Sequence, residues 1–251
     1  MMSIEHENKR NKIIESFKDI LTNQLESIEK LSSKNNEILF KKMLYISFLE
    51  SLAKASYPKI KHTKKRFTTF LFNFTSWKEC NNYSIIHIAN KSFTTNTLTF
   101  YKEEINKLLE ISLYRSSVFI DDIALLPNKY IDIEIKKNKV LLDSCTYGSL
   151  LYKARNSLVH QFQISIERDG EIGWGTDKEL PYFQVTGNVE FNDKRKELEE
   201  VSRFIEIVFP NIFLKKLALE GLVNFIQYCK ENKFNPFEEY YSERKIHEEK
   251  L

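Results

Sequence analysis

The sequence predicts a mainly α-helical fold, a bundle of amphipathic helices interrupted by one small β-hairpin. Three observations predict it. Apolar residues recur at three- and four-residue spacing through several long stretches, which is the helical period. Only 6 Gly and 5 Pro occur in 251 residues, too few for a fold built on many tight turns. Four of the glycines (Gly170, Gly173, Gly175 and Gly187) fall between residues 163 and 191, where alternating apolar residues mark hairpin chemistry.

The elements follow in order. Residues 8–31 carry Ile13, Ile14, Phe17, Ile20, Leu21, Leu25 and Ile28 on a helical stripe, and Ser32 to Asn36 break it. A second helix is expected over 37–56, with Leu39, Met43, Ile46, Leu49 and Ala53 as its stripe and Pro58 as its stop. A shorter helix is expected over 65–74. Residues 75–100 mix Ser, Thr and Asn with isolated aromatics and give no clear element. Residues 101–115 have helical spacing, and 130–142 alternate loosely as a short strand or extended loop. A helix over 147–162 precedes the hairpin of 163–191, with Asp169-Gly170 and Gly187-Asn188 as turn dipeptides. Two further helices are expected over 193–208 and 211–231, separated by Pro210, and 238–251 form a charged tail. The expected organisation is one helical domain over 1–251 carrying the 163–191 insertion.

Composition narrows the function classes. Charged residues make up 29% of the chain, and no run approaches 18 consecutive apolar residues, so no transmembrane helix and no membrane partner is expected. The polar N-terminus lacks the apolar core of a signal peptide. Cys80, Cys145 and Cys229 stand far apart, give no metal-ligand spacing and fit a reducing cytoplasm. A net charge of +3 does not by itself point to nucleic acid. No Gly-rich phosphate loop or nucleophile elbow is present. The carboxylates Asp121, Asp122, Asp132, Glu134 and Asp143 lack metal-ligand spacing and fit a solvated surface better than a cation site. Neither a metal nor a cofactor is expected.

The helix over 147–162 breaks its own pattern. With Leu151 at zero on a wheel of about 100° per residue, Leu158 and Phe162 fall within roughly 20°, Ala154 within about 60° and Val159 within about 80°. Arg155 falls at about 40°, inside this apolar arc, while Asn156 and His160 fall at about 140° and 180°, one turn apart on the polar face. A guanidinium keeps its charge, so Arg155 must reach water or an anion. Three solutions stand open: snorkelling of the head into solvent, an ion pair with a core-edge carboxylate such as Glu50, or bidentate contact with a phosphate.

Arg followed five residues later by His is a weak pattern alone, matched by chance in about one such chain in six. The longer string Tyr152-x-x-Arg155-Asn156-x-Leu158-Val159-His160 is more restrictive. It resembles the HEPN superfamily, whose hallmark is Arg, a polar residue, three further residues and His. The segment Tyr45 to Pro58 is loosely similar to an earlier core helix of HEPN-like families. The resemblance implies a HEPN-like helical bundle that acts as a homodimeric, metal-independent endoribonuclease on an RNA substrate, with Arg155, Asn156 and His160 as catalytic residues. It also implies the setting of a bacterial toxin or anti-phage defence system, with a cognate antitoxin or defence-system partner protein. A histidine titrating near neutrality can take a proton from a ribose 2′-hydroxyl or give one to the departing 5′-oxygen, and two copies across a twofold axis could share those tasks. The expected products are a 2′,3′-cyclic phosphate and a 5′-hydroxyl. Where some HEPN toxins carry a modifiable Tyr two residues after the His, this chain has Phe162, so control by tyrosine modification at that position is not expected. A non-catalytic HEPN-like module binding RNA or protein, or an antitoxin or immunity component, is the alternative.

Residues 51–78 hold seven basic residues and no Asp or Glu, with Phe67, Phe70, Phe72, Phe74 and Trp77 close by. Cations beside stackable rings suit single-stranded RNA, but a solvated turn followed by core aromatics explains the same residues more simply. Within a nuclease, Lys61, Lys64, Lys65 and Arg66 would be the phosphate contacts. His6, His62, His87 and His247 carry no partner pattern.

Overall fold

The computed structural model describes residues 2–32, 37–84, 87, 118–119, 143–161, 179–192 and 197–237. Expectations for 101–115, 130–142 and the tail over 238–251 lie outside these residues. Among the described residues the protein is mainly helical, with α1 (Met2–Lys30), α2 (Glu37–Ser56), α3 (Thr63–Phe74), a 3-10 turn (Lys78–Asn81), α4 (Tyr147–Gln161) and α5 (Asn211–Glu231). Strands β1 (Val118–Phe119), β2 (Tyr182–Asn192) and β3 (Glu197–Val208) form one antiparallel sheet in the order β1-β2-β3. None of these helices is long and apolar enough to cross a membrane. The chain divides into two compact units, residues 1–80 with 214–251, and residues 81–213.

In the first unit, α1 buries Ile14, Phe17, Leu21, Leu25 and Ile28. Ile20 stays exposed because it lies about 100° from the centre of that stripe. Helix α2 packs against both α1 and α3 and is buried nearly all round, through Tyr45, Ile46, Phe48, Leu49, Leu52 and Ala53. Helix α5 runs antiparallel to α1, as the ion pairs Glu15–Lys230 at 2.6 Å and Glu29–Lys215 show. An aromatic cluster ties α1, α3 and α5 together: Phe17 meets Phe225 edge-on at 6.0 Å, and Phe74 meets Phe225 at 5.6 Å and Tyr228 at 5.5 Å. Each such pair contributes about 0.5–1.5 kcal/mol beyond its area. Gly221 allows α5 to approach α3, since a Cβ there would stand 2.9 Å from Cζ of the fully buried Phe70.

Helix α3 ends with its carbonyls satisfied from outside. Lys78 Nζ donates to the carbonyls of Phe72 and, at 3.0 Å, Thr75, and Asn224 Nδ2 donates to that of Phe74 at 2.9 Å. Such acceptors have no partner within their own helix. The Ser76 amide and hydroxyl donate to the Glu220 carboxylate at 2.9 and 2.8 Å, fixing the turn that follows.

The second unit departs from expectation. Residues 193–208 were expected to be helical, but 197–208 form β3, paired along its length with β2. A hairpin runs over Tyr182–Val208, with Gly187 and Asn188 inside β2 and not at a turn, while residues 163–178 of the expected insertion lie outside the described residues. The register explains the misreading. Asn188 faces Ser202 and Val189 faces Glu200, leaving Val201 as an extra residue. One residue inserted into a two-residue alternation produces three- and four-residue spacings that mimic a helix.

Lys42 is the charge that the bundle bears least easily. It is 1% exposed, and burial lowers its pKa from 10.5 to about 8. The unfolded chain thus holds a proton between pH 8 and 10 that the folded chain has released, so stability rises with pH across that window. Below pH 8 the full cost applies, about 3 kcal/mol. Lys42→Met is expected to stabilise the protein at pH 7, with an advantage over wild type that shrinks as pH rises from 8 to 10. Urea unfolding at several pH values checks this, and an advantage constant across the window contradicts it.

Candidate functional site

The site begins where α4 is fastened. Tyr83 and Thr146 form an antiparallel bridge in which the Ser84 amide donates to the Cys145 carbonyl at 2.9 Å and the Tyr147 amide to the Asn82 carbonyl at 3.0 Å. The Tyr147 amide belongs to the first turn, where helix donors lack internal partners. Thr146 Oγ1 accepts the Ser149 amide at 3.2 Å and donates to Ser149 Oγ at 2.8 Å. Ser149 Oγ in turn donates to the Asp143 carbonyl at 2.6 Å. This is an N-cap with a reciprocal side-chain contact, and it fixes the helix start at Tyr147.

From that start the helical period assigns the faces. Tyr147, Leu150, Leu151, Ala154 and Leu158 are buried, and Tyr147 packs at a tilt on Phe183 of β2, ring centroids 6.2 Å apart. Arg155 is half-buried beside these residues, as its place in the apolar arc predicts. Its Nη1 donates to Oδ1 of the half-buried Asn156 at 3.0 Å. His160 belongs to the last turn of α4, one turn beyond Asn156. The side chains of Ser157, Val159 and His160, and the whole of Phe162, lie outside the described residues. The structure therefore holds Arg155, Asn156 and His160 on one helix and joins the first two by a hydrogen bond.

The remaining candidates belong to the first unit. Glu50 is half-buried on α2. Lys61 lies in the link before α3, and Lys64, Lys65 and Arg66 lie in its first turn and just beyond. Lys61 and Lys65 are exposed, whereas Lys64 and Arg66 are half-buried. Arg66 Nη1 reaches the Ile60 carbonyl at 3.5 Å, while its buried Nε has no hydrogen-bond partner among the described residues. The neighbouring aromatics are core: Phe67, Phe70, Phe74 and Trp77 are buried, and only Phe72 of this group is exposed. Phe72 stacks with Lys78, whose Nζ lies 5.1 Å from the ring centroid. The track of stackable rings is thereby reduced to one residue, and Lys78 is committed to the end of α3.

Two features escaped the sequence. His87 is buried, with Nδ1 2.8 Å from Oγ of the fully buried Ser84. No spacing rule flags a lone histidine, and this one is built into the segment that fastens α4. Thr146 and Ser149 did leave a signal, a hydroxyl three residues before another polar side chain at a helix start. The three cysteines are free and buried, and burial pushes the Cys80 and Cys229 thiols up to about 12, which makes them poor nucleophiles. Among the described residues no group of three His, Cys, Asp or Glu side chains could hold a metal ion.

No family model, curated protein or solved structure matches this chain.

The geometry makes Thr146 the residue on which the start of α4 depends. Thr146→Ala is expected to lower stability by about 1 kcal/mol, and Thr146→Ser to retain most of it. Thermal unfolding of the three proteins decides, and an unchanged midpoint for Thr146→Ala contradicts the capping role.

Proposed function

We propose that this protein is a HEPN-like, metal-independent endoribonuclease that works as a homodimer. The observation that carries the proposal is the arrangement on α4: a half-buried Arg155 at the edge of the apolar face, its guanidinium on Asn156 Oδ1 at 3.0 Å, and His160 one turn further on. The resemblance of Tyr152 to His160 to the HEPN motif supports the same reading.

The chemistry runs as follows. One His160 takes the proton of the ribose 2′-hydroxyl as the 2′-oxygen forms a bond to phosphorus. The bond from phosphorus to the 5′-oxygen breaks, and His160 of the second copy gives that oxygen its proton. Arg155 and its mate answer the charge that builds on the non-bridging oxygens. Asn156 orients the guanidinium through its Oδ1, and its amide group remains a donor for a phosphate oxygen. Lys61, Lys64, Lys65 and Arg66 serve as phosphate contacts along the substrate, a role that suits the exposure of Lys61 and Lys65. The setting is a bacterial toxin or anti-phage defence system with a cognate partner protein.

A second reading is a non-catalytic HEPN-like module that binds RNA or protein, or an antitoxin or immunity component. The Arg155–Asn156 hydrogen bond favours it to the extent that it gives the guanidinium an internal partner.

Incubation of wild type and His160→Ala with single-stranded RNA in EDTA, followed by end-group analysis, separates the two. The enzyme reading expects fragments ending in a 2′,3′-cyclic phosphate and a loss of rate of at least about a hundredfold in the variant. Binding without cleavage by wild type, or cleavage unchanged by His160→Ala, contradicts it.

A further inference from the structure

The link from α2 to α3 and the start of α3 carry Lys59, Lys61, Lys64, Lys65 and Arg66, with no Asp or Glu between residues 51 and 78. Elsewhere in the first unit Lys18, Lys30, Lys41, Lys215 and Lys230 each pair with a glutamate. Among the described residues Lys59, Lys61, Lys64 and Lys65 form no ion pair. Positive charge in the first turn of a helix is unfavourable for folding, so Lys64 and Lys65 stand where an external anion, and not the fold, gains from them. The backbone that bears these cations is fastened. The Ile60 amide donates to the Tyr57 carbonyl at 3.1 Å, and the Arg66 amide to the His62 carbonyl at 2.9 Å. Arg66 Nη1 reaches back to the Ile60 carbonyl at 3.5 Å, and Asn73 Nδ2 donates to the Tyr57 hydroxyl at 2.6 Å. Lys59, Lys61 and Lys65 are exposed on this held segment.

What the patch lacks identifies its partner. Phe67, Phe70, Phe74 and Trp77 are buried in the core, and the exposed Phe72 is stacked with Lys78. A protein interface is built around apolar or aromatic anchors, and this surface offers cations alone, which suits a polyanion. An unpaired strand is gripped by stacking its bases on aromatic rings as well as by cations. A paired strand hides its bases, and a protein holds it through phosphates and 2′-hydroxyls. A duplex also carries about twice the charge per length of its axis, which suits lysines crowded between residues 59 and 66. We propose that this patch holds the phosphate backbone of a paired stretch of RNA without reading its sequence. The inference rests on the reading of this chain as a protein that handles RNA, and it names the form of RNA that these lysines hold.

Fluorescence anisotropy tests this with the full chain carrying His160→Ala, so that the RNA is not consumed. The probes are a labelled RNA duplex of about 16 base pairs and an oligouridine strand with the same total number of phosphates. The duplex is expected to bind at least about threefold more tightly than the oligouridine, and a duplex of different sequence to bind within about twofold of the first. Adding Lys61→Gln and Lys65→Gln together is expected to weaken duplex binding and to reduce the slope of log affinity on log salt by about 2. Lys9→Gln with Lys12→Gln, exposed lysines of α1 that also form no ion pair among the described residues, removes the same charge and is expected to change the affinity less. Thermal unfolding verifies that each protein folds. Binding of the oligouridine as tight as that of the duplex, or duplex binding unmoved by the Lys61 and Lys65 substitutions, overturns the proposal. Binding of wild type to phosphatidylserine vesicles, with neither RNA bound, overturns it in favour of a lipid surface. Cleavage is scored separately with wild type: duplex binding without cleavage ends the nuclease reading and supports this inference, and cleavage with no preference for the duplex does the reverse.

Discussion

A guanidinium cannot shed its charge, and α4 carries one at the edge of an apolar face. That constraint organises the candidate site. Leu151, Ala154 and Leu158 are buried, so the Arg155 stem has apolar neighbours while its head must find polar ones. Asn156 supplies one at 3.0 Å. An amide oxygen has no charge, so this bond orients the fork without itself supplying a counter-charge. An oriented guanidinium fork is what bidentate recognition of a phosphate needs. The helical period then places His160 at a fixed distance along the same axis, one turn past Asn156.

Such an arrangement is only as exact as the helix that bears it. The Thr146–Ser149 cap and the short ladder through Asn82, Ser84 and Cys145 fix where α4 begins. Slippage of that start by one residue would turn every later side chain by about 100° and take Arg155 out of its place. The first unit meets a different demand. Its aromatic cluster and the satisfied end of α3 hold four helices together, with Lys42 buried at a cost and a cavity left between α1 and α5.

Helices with a clean apolar stripe were legible in the sequence. The bounds of α2 and α5 follow from Pro58 and Pro210 and from unbroken three- and four-residue spacing. The place of Arg155 on its helix was legible too, because one fixed angle per residue suffices. Strand β3 was not. Its extra residue at Val201 gave a strand the spacing of a helix, and the pairing that decides between them comes from residues outside the segment. The role of the aromatics after Lys65 depended on tertiary burial in the same way: Phe70 and Phe74 look alike as stacking rings and as core until α5 covers them. The division into two units had no composition shift to announce it, and the buried Ser84–His87 contact left no pattern.

The composite site is the centre of the account, and mixed dimers test it most directly. Wild-type and His160→Ala chains carrying different affinity tags can be co-expressed and the mixed species isolated through both tags. If two histidines share one scissile phosphate, the mixed dimer cleaves RNA no faster than the doubly substituted one. A mixed dimer with half the wild-type rate would mean that each chain works alone, and the composite site would have to be abandoned.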